Sequence, residues 1–529
     1  MPSSIILSNV ILATPDGRTL VPHINLSFKA ERTGLIGRNG VGKTTLLSLI
    51  AGEHPLGSGA VTVSGAVGVL RQSVQKGDGE AIVDLFGARQ AFAVLRRAET
   101  GEATSDELAG ADWTLEARIA AALASVGLEV SLGTDLAELS GGQATRARLA
   151  ALIVAKPDFL LLDEPTNNLD RDGRTAVIEF LAGWRRGAII VSHDRELLEG
   201  MDAIVELTSL GATRYGGNWS QYRESKQLEL ATTRRGLADA EKRLADIDRK
   251  AQDAAEAKAR KDAGGRKKNA RGDMPRILSG ARKDRSEDTG GENSRLADRR
   301  RAQALEDVRI ARGRIEILQP FAVRIPPTLL PAGKAVLQVD WVSAGYDPKA
   351  PVIKDFSLSM TGPERVAIAG PNGSGKTTIL KILSGQLQPW AGSVRMMTSF
   401  AMFDQTVSLL DPSISILENF RRINPAAEEN ACRASLAQFM FRADAAVQTV
   451  SSLSGGQLFR AGLACVLGGP VAPSLLIMDE PTNHLDVDSI KTVEAGLRAY
   501  DGALLVVSHD EAFLDAIGIS RKVVLSVMA

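Results

Sequence analysis

Short, wholly apolar runs recur along this chain, each ending in turn chemistry and followed by a helical pattern. Gly34-Leu35-Ile36, Phe159–Leu162 and Ala188–Val191 are examples in the first half, and Arg365–Ala369 in the second. Strands without an alternating polar face are expected in a largely parallel sheet buried on both sides, so each half reads as α/β. Between about 223 and 325 the pattern changes. Leu237, Ala240, Leu244, Ile247, Ala251 and Ala254 follow the 3-4 spacing of a heptad seam, as do Ala304, Val308, Ala311, Ile315 and Leu318, and Pro320 ends the second run. This predicts a hairpin of two helices of about 30 residues, some 40–45 Å long. Two unrelated surface helices would give a similar pattern. No apolar run approaches the ~20 residues needed to span a bilayer.

The chain contains itself twice. Gly37-Arg38-Asn39-Gly40-Val41-Gly42-Lys43-Thr44-Thr45 reappears as Gly370-Pro371-Asn372-Gly373-Ser374-Gly375-Lys376-Thr377-Thr378. Leu139-Ser140-Gly141-Gly142-Gln143 returns as Leu453-Ser454-Gly455-Gly456-Gln457. The run from Leu160 through Asp163-Glu164 to Asp170 returns from Leu476 through Asp479-Glu480 to Asp486, and Ser192-His193-Asp194 as Ser508-His509-Asp510. Four motif pairs in one order indicate two related modules, 1–222 and 326–529, around a segment that occurs once, 223–325.

The first motif is a phosphate-binding loop. Its glycines let successive backbone N–H groups face one phosphate chain at a helix N-terminus. Lys43 and Lys376 would reach the outer phosphates, and Thr44 and Thr377 a magnesium ion. Asp163 and Asp479, at the ends of apolar strands, suit the magnesium shell. Glu164 and Glu480 follow directly and suit a general base for the attacking water. His193 and His509 lie 29 residues after their glutamates, where a side chain meets a γ-phosphate. Gln72 and Gln405 each lie 35 residues after the first glycine of their loop and could ligate the metal or a water; surface glutamine is the plain alternative. Ser-Gly-Gly-Gln opens a helix and offers a second anion site, although taken alone it is also an ordinary capped helix.

Composition narrows the function. Lys+Arg and Asp+Glu both number 63, so a surface that coats nucleic acid throughout is excluded and any basic site is local. One such site exists: from Lys258 to Arg285 eleven basic residues stand against Asp262, Asp273 and Asp284. Gly264-Gly265, Gly272 and Pro275 are expected to break helicity there, leaving a basic tip suited to phosphate backbones; without aromatics it would not stack on bases. Two cysteines make no disulfide framework, and the N-terminus lacks the features of a signal peptide, so a cytoplasmic protein is expected.

In this order, these motifs resemble the nucleotide-binding domain of ATP-binding cassette proteins. Two cassettes without a membrane segment resemble the ABC-F subfamily, as does Tyr215-Gly-Gly-Asn-Trp-Ser-Gln-Tyr222, the stretch that leads into its linker. The resemblance implies two P-loop NTPase cassettes joined by a coiled-coil hairpin, in a monomeric ATPase that uses ATP and Mg²⁺. Each nucleotide would lie between the glycine loop of one cassette and the signature loop of the other. Site one would use Lys43, Thr44, Gln72, Asp163, Glu164 and His193, closed by Ser454, Gly455 and Gly456. Site two would use Lys376, Thr377, Gln405, Asp479, Glu480 and His509, closed by Ser140, Gly141 and Gly142. Tyr346 lies where such cassettes stack an aromatic on adenine, whereas Ala13-Thr14-Pro15 offers site one none. Characterised members bind the ribosome at the tRNA exit site, so the implied partners are rRNA and tRNA, met by the linker tip. Housekeeping translation factor and antibiotic-resistance protein both fit. A DNA repair or recombination ATPase and an energiser of separate membrane subunits are the alternatives. The 67 residues between glutamine loop and signature in cassette one, against 48 in cassette two, imply a short or absent arm. The chain ends 20 residues after His509, which speaks against a C-terminal coiled coil of the DNA-binding kind.

Overall fold

The computed structural model describes residues 3–14, 17–71, 79–269, 299–310, 325–347, 349–483 and 485–526. It divides into two compact units, one made of Met1–Tyr222 with Phe321–Ala529, the other of Arg223–Pro320.

In the first unit each half builds a parallel sheet from the apolar runs. In the first half the strands are β1 (Ser4–Ala13), β2 (Thr19–Phe28), β3 (Arg32–Gly37), β4 (Ala60–Ser64), β5 (Val67–Leu70), β6 (Phe159–Asp163), β7 (Gly187–Val191), β8 (Ala203–Thr208) and β9 (Gly211–Gly216). The main sheet has the order β5-β6-β7-β3-β8-β9, parallel except for the final β8–β9 pair. A second, antiparallel sheet is β2-β1-β4. The second half repeats the plan with β10 (Ala335–Ala344), β11 (Ile353–Thr361), β12 (Arg365–Ala369), β13 (Ala391–Met396), β14 (Phe400–Phe403), β15 (Leu475–Asp479), β16 (Ala503–Val507) and β17 (Arg521–Val524). Its orders are β14-β15-β16-β12-β17, wholly parallel, and β11-β10-β13.

Strands β6, β7, β15 and β16 are buried at every residue, which is why their sequences lack polar alternation. In both halves the strand before the glycine loop pairs with the strand before the histidine, and that strand with the one ending in Asp-Glu. The three motif-bearing loops of each half therefore leave the same end of one sheet, the C-terminal edge where ligands bind in open α/β folds. Cys432 and Cys465 are free and buried.

The second unit is helical. The helix Trp219–Asn269 has 51 residues, which at 1.5 Å per residue is about 75 Å. It is longer than the seam suggested and continues through Gly264-Gly265. About 1 kcal/mol per internal glycine is outweighed by a run of Ala, Lys and Arg that propagates an established helix. Leu237, Ala240 and Leu244 are more sheltered than their immediate neighbours and Ile247 is partly sheltered, whereas Ala251 and Ala254 are exposed. Residues 299–310 are also helical, with Ala304 and Val308 buried and Arg301 Nε donating to Asp248 Oδ1 at 2.7 Å. Ala311, Ile315 and Leu318, and the tip from Arg271 to Arg285, lie outside the described residues.

One close approach decides β6–β7 packing. A Cβ on Gly187 would run into the ring of Phe159, which is fully buried on the neighbouring strand. Gly187→Ala is expected to lower the unfolding free energy by about 1–3 kcal/mol through overpacking. Urea denaturation checks this, with Gly183→Ala, where the added Cβ meets nothing among the described residues, as the comparison.

Candidate functional site

The two glycine loops lead from β3 into the helix Lys43–Ile50 and from β12 into the helix Lys376–Leu383. Gly42 and Gly375 cap these helices at φ 104° and 90°, in the left-handed region, and carry no side chain that could occupy the first N–H groups. The helix N-termini are thus left to an anion. Lys43 Nζ folds back on its own loop, donating to the Gly37 carbonyl at 2.7 Å and that of Arg38 at 3.2 Å. Lys376 Nζ does the same with Gly370 at 2.7 Å and Pro371 at 2.9 Å. Burial pulls both ammonium pKa values down, against the field of nearby carboxylates.

Thr44 Oγ1 donates to Asp163 Oδ2 at 2.7 Å, and Thr377 likewise bonds Asp479. A hydroxyl and a carboxylate already in contact form a two-oxygen set, which suits a magnesium ion that keeps phosphate and water ligands. Burial raises Asp163 and pushes Asp479 up to about 6.

Glu164 and Glu480 are non-glycine residues held at φ 51° and 47°, each fixed by its N–H donating to the neighbouring strand, to Val191 O at 2.9 Å and Val507 O at 2.8 Å. Such strain persists only where the surroundings impose it. His193 Nε2 lies 3.2 Å from Glu164 Oε1, and His509 Nε2 3.5 Å from Glu480 Oε1. Burial drives all four toward neutrality. Glu164 rises far above the carboxylate range and Glu480 to about 7, while His193 falls well below its usual value and His509 to about 4.

The signature serines are helix caps. Ser140 Oγ accepts from Gln143 N at 3.2 Å and Ser454 Oγ from Gln457 N at 3.4 Å, and each glutamine returns the bond to its serine's N–H.

The halves meet at these loops. Asp486 Oδ2 accepts from the backbone N–H of Asn39 at 2.9 Å, and Asp170 Oδ2 from that of Asn372 at 3.1 Å. Each aspartate also caps its own helix, Asp170 through Gly173 N and Asp486 through Ser489 N. Arg195 Nη1 reaches Glu494 Oε1 at 2.6 Å across the junction, with Glu494 only 6% exposed.

A cavity of about 620 Å³ runs along this junction. Asn39, Gly40, Gly42, Lys43, Thr44, Thr45, Asp163, Glu164 and His193 border it from the first half, and Gly455 from the second. Asn372, Gln405, Glu480 and His509 border it from the second. Ser140, Gly141 and Gly142 are not on its wall, nor are Ser454, Gly456, Lys376, Thr377 or Asp479. Tyr346 stands exposed, its hydroxyl 3.2 Å from Lys381 Nζ. Among the described residues, Thr14 and Leu20, and no aromatic, border the cavity near the first loop. Gln72 lies outside the described residues. The bridging roles of Asp170 and Asp486, and the ions Arg174, Asp194, Arg195, Glu494 and Asp510 at the junction, were not singled out from sequence. For the two aspartates the signal was there, since both close the repeated Asp-Glu motif.

A model of the ABC transporter family matches residues 22–167 and 353–483. The chain belongs to this family. Across 96% of its length it is 32% identical to the tylosin resistance ATP-binding protein TlrC of Streptomyces fradiae, covering 95% of that protein. It is 31% identical to the energy-dependent translational throttle protein EttA of Mycobacterium tuberculosis, over 94% of this chain and 87% of that one. Among solved structures, an archaeal ribosome recycling factor aABCE1, in complex with the stalk protein aP1, aligns with TM-score 0.55 at 17% identity over 98% of this chain and 87% of its own. That similarity is one of fold. This ATP-binding cassette protein is a tandem-cassette member of the ABC-F subfamily and an ATP hydrolase. Among the described residues no helix is long and apolar enough to cross a membrane.

Asp170→Ala in this cassette protein removes a helix cap and the bond to the facing loop together. A loss of about 1–2 kcal/mol is expected from the cap alone. Chemical denaturation checks it against Asp172→Ala, an exposed change expected to stay within about 0.5 kcal/mol.

Proposed function

We propose that two ATP molecules are clasped between the cassettes, and that closure and hydrolysis switch the protein on and off the ribosome. The observation that carries the clasp is the pair of reciprocal bonds from Asp486 to the Asn39 amide and from Asp170 to the Asn372 amide. Each glycine loop is thereby held by the opposite cassette, the arrangement a nucleotide shared across the junction requires.

In site one Lys43 leaves its loop carbonyls to meet the outer phosphates. In its ionised form Glu164, whose pKa burial raises toward neutral pH, takes a proton from the water that attacks the γ-phosphorus as the bond to the β-phosphate oxygen breaks, with the neutral His193 beside it. In site two Lys376, Glu480 and His509 take these parts. A magnesium ion held by Thr44 with Asp163, or Thr377 with Asp479, would supply charge neutralisation on the phosphates. Gln72 and Gln405 would complete its shell, and the signature loops Ser454–Gly456 and Ser140–Gly142 would close on the far phosphate. Tyr346 would stack on adenine at site two. The γ-phosphate favours the closed state, and its loss reverses that preference.

Partnership with the ribosome is supported by two relatives that match nearly end to end and whose names refer to tylosin resistance and to translational throttling. The basic segment from Lys258 to Arg285 suits rRNA or tRNA phosphates, and the cytoplasm is the place for this work. The Glu164→Gln/Glu480→Gln protein should co-sediment with ribosomes in ATP and stay bound, whereas the parent is released as it hydrolyses. Sedimentation indifferent to ATP and to both substitutions, or preference for DNA in direct competition, would sink this reading.

A further inference from the structure

The two halves align at a constant offset of 316 residues around the junction: Asp170 with Asp486, His193 with His509, Asp194 with Asp510. At that offset Arg174 corresponds to Ile490. Both side chains border the cavity, one from each half. The duplicated sites are therefore lined unequally, by a cation on one side and an aliphatic chain on the other.

Arg174 is placed with care. Its guanidinium is 11% exposed and holds Asp194, itself 6% exposed, through Nη2 at 2.8 Å and Nε at 3.1 Å. It also acts across the junction on Asp510, whose carboxylate caps the following helix through Phe513 N at 2.9 Å. Asp510 directly follows His509. Glu480 and His509, on the same cavity wall, feel the same cation. For Glu164 the acting charges are Lys43, Asp163 and Asp194, all from its own cassette. Asp194 and Asp510 border the cavity from separate halves, where their charges repel, and the Arg174 cation bonded to Asp194 offsets that repulsion.

We propose that Arg174, carried by the first cassette, is a positioning residue of the second cassette's hydrolytic centre, acting through Asp510 on the turn that bears His509. Site two is then the faster hydrolytic site, and site one, with Ile490 in that place, the slower. The proposal rests on the reading that Glu164 and Glu480 serve separate sites.

Two parents separate the sites: Glu164→Gln retains hydrolysis at site two, and Glu480→Gln at site one. Arg174→Ala is added to each, and ATP turnover is measured with and without millimolar guanidinium. In the Glu164→Gln parent kcat should fall about tenfold or more while KM stays within about twofold, as for a misplaced group rather than a lost contact. Added guanidinium, or Arg174→Lys in place of Ala, should return part of that kcat. In the Glu480→Gln parent the loss should be clearly smaller and indifferent to guanidinium. Equal losses in the two parents, a loss confined to KM, or a kcat that neither guanidinium nor lysine restores would overturn the proposal alone. Abolition of all turnover by either parental substitution would instead overturn the separate-site reading, and the proposal with it.

Discussion

Two carboxylates tie the two halves together at their junction. Asp170 and Asp486 each end a repeated motif, cap the next helix of their own cassette and accept a backbone N–H from the glycine loop opposite. A single side chain thus ties three things in register: the strand end that bears Asp-Glu, the helix behind it and the loop that would hold phosphate. Because the acceptor is a charged group and the donor a loop amide, each bond is of the stronger kind and depends on backbone placement, not on a side chain that could drift.

That placement matters because the groups behind it are costly to bury. Asp163, Glu164 and Asp479 are buried and the Glu480 side chain is only 11% exposed, and the lysines that would balance them are occupied with their own loop carbonyls. Desolvation is the largest influence on each of these carboxyls, and it holds the two glutamates near neutral pKa, where a general base works best. The left-handed backbone at both glutamates adds local strain, maintained by the strand hydrogen bonds on either side.

Much of this was legible in the chain itself. Fully apolar runs gave away β6, β7 and β15, since a strand covered on both faces has no polar alternation to confuse with a helix. Exact repetition marked the phosphate loops, the Asp-Glu pairs and the histidines. Repetition was blind where the halves differ. Arg174, Arg195 and Glu494 lie outside the shared motifs, and nothing in a linear sequence says that they meet residues from the other half. Backbone strain at Glu164 was equally invisible, because it is imposed by the neighbouring strand. The long helix was underestimated for the opposite reason. Gly264-Gly265 is a local breaking signal, and the cooperativity of the long helix that precedes it overrides it.

The buried contact between Arg195 and Glu494 bears on how the molecule chooses partners. At the 316-residue offset the counterpart of Arg195 is Glu511 and that of Glu494 is Ile178. Homotypic association of two first cassettes would set an arginine against isoleucine, stranding a desolvated charge. Two second cassettes would press glutamate against glutamate. Pairing of the two unlike cassettes gives Arg195 its carboxylate, while Glu511 finds Lys522 within its own cassette, so the Arg195–Glu494 position penalises the wrong pairing.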